Sequence, residues 1–328
     1  MQADTEVNGL SPEQEKQQMT MEIPFIRLRF RSELLEDVYL PRTKTAALRG
    51  GMGEMLLRQN CVTDRHCDKC RFSEVCVVQH TFYTPMKKKP LYMTGSESVG
   101  YLIECTDGKT EFKKGDCFYF YLILFGDSIA FFNQYLQAFH QLGMLGLGKY
   151  YGRFQITEVC NTQGERIVSR REVDMSRYRI STVNDYVRER KAQLTGGQKS
   201  WTLRFLTPLC MKHRQTFLRE FDGEALVKGA ARRLQMLNYY IGAEAAVPEL
   251  DGYPQIIRQT VRQEYVKRYS GTQNSRMTLK GITGEAVFER IAEECLNYLI
   301  AGELIHMGKN TSFGFGKYII ERNGKTYE

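Results

Sequence analysis

Gly146-Leu147-Gly148-Lys149-Tyr150 in the first half of the chain returns as Gly314-Phe315-Gly316-Lys317-Tyr318 near its end. Each copy follows a helical pattern and leads into a strand. Outward from the first copy, Asp127 is placed to cap a helix over 128–142 with Ile129, Phe132, Leu136 and Phe139 inward. The copy itself opens a strand over Tyr150–Val159. Upstream lie a Tyr- and Phe-rich strand (Asp116–Phe125), a strand near Val99–Glu104, and a helix opened by Pro41 and Thr43 that runs to about Arg58. The first strand reads Phe25-Ile26-Arg27-Leu28-Arg29-Phe30, alternately apolar and basic, and so predicts a half-buried strand with a positive outer face. The order is βαββαβ.

Outward from the second copy the order recurs. Trp201–Thr207 is a strand, and Asp222 caps a helix to about Ile241 with Leu226, Ala230, Leu234 and Leu237 inward. Ile256–Tyr269 and Arg276–Phe288 form a hairpin, Arg290–Leu304 a helix, and Gly314–Ile320 the last strand. A short repeat inside a repeated element order predicts duplication. The fold class is α+β, with two tandem ferredoxin-like domains. Residues 1–20 read as a disordered tail, 21–160 as the first domain with a cysteine insertion at 61–80, 161–197 as a linker, and 198–328 as the second domain with a Gly-rich loop at 308–316.

The 328 residues suit about two domains at ~100–200 residues each. With 42% hydrophobic and 26% charged residues, bulk disorder, collagen and a disulfide miniprotein are excluded. The longest apolar run, Cys117–Phe125, is too short for a membrane helix, and no charged-then-apolar leader opens the chain. A cytoplasmic protein with no membrane contact is expected. A net charge of +8 permits a polyanionic partner. The first helix carries Gly50, Gly51 and Gly53, each costing about 1 kcal/mol relative to Ala. Close packing or a ligand must offset that cost.

Cys61-x5-Cys67-x2-Cys70-x5-Cys76 places four thiols within sixteen residues. Such a set suits tetrahedral zinc in a closed structural site, with an iron–sulfur cluster or unmetallated thiols as the other readings. His66 stands ready to replace one cysteine. Cys105, Cys117, Cys160, Cys210 and Cys295 lie on apolar segments and read as core thiols.

The stretch from His306 to Tyr318 joins a helix to a strand through Gly308, Gly314 and Gly316, which allow backbone N–H groups to approach a phosphate. A nucleotide P-loop fails on spacing: five residues separate Gly302 from Gly308, and Asn310 stands where Ser or Thr is required. A tight turn that packs two sheets is the plainer reading. Basic residues interleave with aromatics at Lys149-Tyr150-Tyr151-Gly152-Arg153, at Arg232-Arg233 near Tyr239-Tyr240, and along Arg262–Tyr269, as in surfaces that grip single-stranded RNA.

Together these features resemble the CRISPR-associated RAMP proteins, and within them the family of repeat-processing endoribonucleases. The resemblance rests on the paired ferredoxin-like halves, Ala47-Leu48-Arg49-Gly50 before the cysteines, Leu145-Gly146-Leu147-Gly148 with Gly152-Arg153-Phe154, Leu206-Thr207-Pro208-Leu209, and Gly302–Lys309 ahead of the Gly-rich loop. The cysteine insertion marks one branch. The resemblance implies a cut at one phosphodiester of the CRISPR repeat, without a metal. The upstream 2′-OH attacks, leaving a 2′,3′-cyclic phosphate and a 5′-OH. Such chemistry uses a base, an acid and a cation. Many relatives carry a histidine on the first helix; residues 42–58 here have none, and Arg42, Thr43, Lys44 and Arg49 are the polar choices. Of the five histidines, His306 borders the Gly-rich turn and is expected as general acid/base, with Lys309 stabilising charge. The residues expected to hold RNA are Arg49, Lys149, Arg153, Lys212, Arg232, Arg233, Gly308, Ser312, Gly314, Gly316 and Lys317. The partners implied are CRISPR repeat RNA or crRNA, and effector or adaptation proteins, with the chain a monomer or homodimer. The alternatives are a non-catalytic crRNA-binding subunit and a zinc-stabilised module that binds protein only.

Overall fold

The computed structural model describes residues 19–322 except 64, 85, 87, 91–92, 94–98, 170–171, 195–199 and 271–274. Most of the expected disordered tail lies outside these residues. The first half runs β1 (Pro24–Leu34), β2 (Val38–Tyr39), α1 (Thr45–Asn60), α2 (Val77–Phe82), β3 (Tyr101–Glu104), β4 (Glu111–Phe112), β5 (Cys117–Phe125), α3 (Phe132–Leu145), β6 (Phe154–Cys160), β7 (Arg166–Ser169), β8 (Ser181–Thr182) and α4 (Val183–Gln193). Its main sheet has the order β3-β5-β1-β6-β7, with β8 on β1. The second half runs β9 (Trp201–Leu209), β10 (Lys212–His213), β11 (Thr216–Phe217), α5 (Gly223–Tyr240), β12 (Ile256–Ser270), β13 (Ser275–Phe288), α6 (Glu293–Ile305) and β14 (Tyr318–Arg322), with the sheet order β12-β13-β9-β14. In both halves the first strand is central, flanked by the third and the last. This is the ferredoxin-like arrangement, found twice.

Alternation in β1 divides its side chains between two environments. Ile26, Leu28 and Phe30 join Phe118, Phe120 and Leu122 of β5 beneath α1 and α3, with Leu48, Met52 and Phe139 from the helices. Phe25 belongs instead to a second core, with Leu102, Ile123 and the residues of α5 and α6. One end of the first sheet's other face is therefore covered by the second domain. Packing explains two of the three helix glycines of α1: a Cβ on Gly51 would lie 2.4 Å from Leu142 Cδ1 of α3, and one on Gly53 2.7 Å from Phe82 Cζ, whereas one on Gly50 would meet nothing within 4 Å.

Several boundaries differ from the sequence reading. Residues 161–197 are not a plain linker. β7 extends the first sheet, β8 pairs with β1, and α4, closed by a Thr182–Asp185 capping box, docks on the second domain. Arg190 of α4 meets Glu303 of α6 at 3.1 Å. Their polar composition hid this, because α4 buries only Val183 and Val187. The strand expected from Tyr150 begins at Phe154, since Leu147 and Gly152 bridge to close a turn. The final strand begins at Tyr318, after a 3₁₀ turn at Thr311–Phe313. Asp127 lies in a 3₁₀ turn, Gly126–Phe131, ahead of α3 and does not cap it.

Candidate nucleic-acid interface

The Gly-rich loop of the second domain lands on the first turn of α1. Gly314 lies so close to Thr45 that a Cβ would come within 2.8 Å of Thr45 Cγ2. Its φ of +83° also places it in the left-handed region that glycine occupies at little cost. Next to it, the Arg49 guanidinium lies 4.2 Å from the Phe313 ring centroid and 5.0 Å from that of Phe82. α1 has no acidic residue in its first turn and no side-chain cap, so its positive dipole end faces the junction uncompensated. Beside it Gly148 approaches Pro41, bringing Lys149 and the exposed Tyr150 and Tyr151 near the start of α1.

Much of the loop backbone is already bonded. Met307 N–H donates to Gly316 O, Lys309 N–H to Cys210 O, Phe313 and Phe315 N–H to Asn310 O, Gly314 N–H to Thr311 O, and Gly316 N–H to Pro208 O. The N–H groups of Gly308, Asn310, Thr311 and Ser312 make no hydrogen bond among the described residues. They flank Lys309, which is exposed. Four free donors and an ammonium at a helix N-terminus suit phosphate oxygens.

His306 is not part of this surface, which corrects the acid/base expectation. It has no exposed area. Its Nε2 lies 2.9 Å from Glu104 Oε1 and its Nδ1 3.1 Å from Phe315 O. Burial draws its pKa below the ordinary imidazole value. Three positions along the chain do not fix direction: Lys309 points out, His306 points in.

The sequence reading missed Glu104, which His306 meets. This buried carboxylate of β3 also takes Lys317 Nζ at 2.8 Å through Oε1 and Arg27 Nη2 at 2.7 Å through Oε2. Burial opposes its ionisation, but Lys317 and Arg27 outweigh burial and hold the carboxyl well below its ordinary range. A lone acid ending the apolar run Tyr101-Leu102-Ile103 was the available signal. Lys317, expected on RNA, is therefore an inter-domain tie. Arg233 is also buried, donating to Ile305 O in its own domain and to Val99 O across the domains. Gly314 and Gly316 are buried as well, and serve packing.

Arg49 meets Phe313 at the junction, next to Ser312, while Gly308 and Lys309 lie against Leu209 and Cys210 at the other end of the loop. Lys212 is close to it, two residues beyond Cys210, and lies over the Phe217 ring. Arg153 is paired with Glu36 at 3.1 Å. Arg232 is exposed on α5. Lys44 is another residue that pattern reading passed over. It is fully buried and donates to Asp107 O and Lys109 O at 2.9 and 2.6 Å, pinning the loop after β3 to the start of α1.

Cys61, Cys67, Cys70 and Cys76 line one cavity of about 310 Å³ with Phe72 and Val75. The donor chemistry fits zinc, and hydrogen bonds from the backbone N–H groups of Thr63 and Arg65 lower the Cys61 pKa toward the thiolate. This cavity is at the far end of α1, about 24 Å along the helix from the junction at 1.5 Å per residue. Cys105, Cys160 and Cys295 are buried, as expected, and burial pushes Cys105 up to about 11; Cys117 and Cys210 are only half-buried. Among the described residues, one trio of ligand-type atoms lies within 4.8 Å: His213, Asp222 and Glu224. Glu224 already pairs with Lys228 and Arg214, and Asp222 caps α5. No described helix is long and apolar enough to cross a membrane.

Comparison with known proteins agrees with this architecture. A family model named AF_1859_N, described as an N-terminal domain, matches residues 23–181. The model of the CRISPR-associated endoribonuclease Cas6 matches residues 203–318. No curated protein matches. Among solved structures, a chain of a partial Cas6-RT-Cas1–Cas2 complex is similar at 12% identity and a TM-score of 0.57, over 94% of this chain and 48% of that one. A chain of the Cas6-RT-Cas1–Cas2 complex gives the same identity and TM-score over 94% and 30%. Thermus thermophilus Cas6 aligns at 13% identity over 91% and 98%, with a TM-score of 0.49. The chain thus spans half or less of the length of the two complex chains, and at these identities the likeness is one of fold. The Cas6 endoribonuclease model thus lies on the half that carries the Gly-rich loop, and the paired ferredoxin-like fold of the whole chain is the one shared with the complex chains.

Proposed function

We propose that the chain binds CRISPR repeat RNA at the junction of α1 and the Gly-rich loop, and cuts it once to release crRNA from its precursor. The observation that carries this is the set of four free N–H groups at Gly308, Asn310, Thr311 and Ser312, beside exposed Lys309 and the α1 N-terminus. In the reaction, the 2′-oxygen bonds to phosphorus as its proton leaves. The bond from phosphorus to the 5′-oxygen breaks, and that oxygen takes a proton. The junction orients the phosphate and stabilises the charge that builds on its oxygens. No metal is needed for the attack. His306, buried on Glu104, does not face the junction, so catalysis there rests on positioning and charge.

That same burial of His306 favours a second reading, a crRNA-binding RAMP subunit that does not cut. We also infer that Cys61, Cys67, Cys70 and Cys76 hold a structural zinc. Bound there, zinc would supply a staple across the insertion, with no open coordination position for water. The partners proposed are effector or adaptation proteins of the CRISPR system, by analogy with the Cas6-RT-Cas1–Cas2 complex.

The test is a denaturing gel of the protein with repeat RNA from its own array, in magnesium-free buffer with EDTA, zinc content being measured alongside. A matched substrate carries one 2′-deoxy at the cut. One sharp cut that the 2′-deoxy abolishes supports the nuclease. Tight binding without a cut moves the assignment to the binding subunit.

A further inference from the structure

We propose that the open half of the first-domain sheet is a platform for single-stranded RNA, separate from the junction. It rests on RNA being the ligand of the chain, and not on the cut.

The alternation of β1 sends Arg27, Arg29 and Arg31 to the face opposite Leu28 and Phe30, and so opposite α1 and α3. Register places tyrosines beside them: Arg29 opposes Tyr121 and Arg31 opposes Tyr119 on β5. The Arg27 guanidinium lies 4.2 Å from the Tyr121 ring centroid, and that of Arg29 lies 5.8 Å from Tyr119. The second domain covers this face over Phe25, Leu102 and Ile123. Cover ends at Arg27, which Glu104 holds. Beyond it the sheet is open, with Arg29 39% and Tyr119 44% exposed.

On this open half the cations Arg29, Arg31 and Arg166 outnumber the carboxylates Glu158 and Glu33. Glu158 takes both Arg29, at 3.6 Å, and Arg166, at 2.7 Å. Arg31 rests on the side chains of Tyr119 and Cys117 and pairs with no carboxylate among the described residues. Arg29 and Arg31 are two residues apart on one face, about 6.8 Å at the usual strand rise. A row of cations interleaved with tyrosine rings matches a ligand that alternates anionic groups with flat rings. That ligand is a single strand, whose phosphates meet arginine and whose bases stack on tyrosine. Duplex RNA is a poor match, because its bases are not free to stack on a flat face.

The test measures fluorescence anisotropy of a labelled ten-nucleotide uridine RNA, across a salt series, with the full chain. Tyr119→Ala should weaken binding about 5- to 150-fold, the range for losing one stacked base, and Tyr119→Phe should keep it. Arg31→Gln should flatten the slope of log affinity against log salt by about 0.7. Both side chains lie on an exposed face, so melting curves should stay within experimental error of wild type. Arg31→Gln keeps the test decisive if Tyr119→Ala folds poorly. Wild-type affinity in both variants overturns the platform. So does failure of the wild-type chain to bind the decamer at low salt, and a repeat RNA still cut under those conditions would leave the junction reading standing. A glutamate decapeptide that binds as tightly as the RNA, and with the same dependence on Tyr119, would overturn it in favour of an acidic protein segment.

Discussion

Replacing Glu104 by Gln perturbs the buried contact that ties the domains together, and its cost is set by what surrounds that side chain. Glu104 is 4% exposed and Lys317 10%, while Arg27 is 27% exposed. The amide keeps the shape but removes the charge that Lys317 and Arg27 share. Breaking a buried pair from one side costs about 3–5 kcal/mol, because the remaining charge stays buried. Arg27 keeps some water, so the lower end, about 3 kcal/mol, applies. The measurement is urea unfolding followed by tryptophan fluorescence and circular dichroism, with the midpoint expected to fall at nearly unchanged slope. Glu104→Gln combined with Lys317→Met should recover much of the loss, since replacing a buried pair by apolar groups is nearly neutral. The acid limb carries the sign. A carboxyl held below its unfolded pKa gives stability that is complete above about pH 4.3 and is lost as pH falls through its folded value. Glu104→Gln should remove that part of the acid dependence. A loss below about 1 kcal/mol, with an unchanged acid limb, would refute the view that Glu104 holds the two domains.

His306→Ala should destabilise the protein by about 2–4 kcal/mol, the range for an emptied, polar-bonded core site. At a temperature where it remains folded, the pH–rate profile should keep its shape, and loss of an imidazole-controlled limb would restore His306 to catalysis. Lys309→Ala should weaken repeat-RNA binding, with a salt slope shallower by about 0.7 for a single-stranded contact, and leave the melting temperature unchanged; an unaltered slope on filter binding would remove Lys309 from the interface. Cys70→Ser should lose bound zinc, measured by mass spectrometry of metals, and melt lower; a variant as stable as wild type would end the staple reading.

The paired folds were legible because their cues are local. Asp222 caps α5 by accepting from Ala225 N–H, as its place before an apolar period implied. The alternation from Phe25 to Phe30 gave both the strand and its basic face. The long hairpin was also readable from its two strand patterns. What failed depended on direction or on partners far along the chain. His306 and Lys309 are only three positions apart, yet the positive φ of His306 and the turn at Gly308 send one inward and the other to solvent. Arg233 and Lys317 look like surface cations until Val99 and Glu104 of the other domain are placed beside them. Residues 161–197 lacked a period because α4 is mostly polar and docks through ion pairs, Arg190 to Glu303 and Lys191 to Glu293.

The claim that RNA lies where the Gly-rich loop meets α1 is tested most directly by photo-crosslinking repeat RNA carrying 4-thiouridine and mapping the attached peptides by mass spectrometry. Crosslinks are expected to concentrate in residues 308–313 and at the start of α1, and to be lost on competition with unlabelled repeat. Specific crosslinks confined to other surfaces, with none in these two segments, would contradict it.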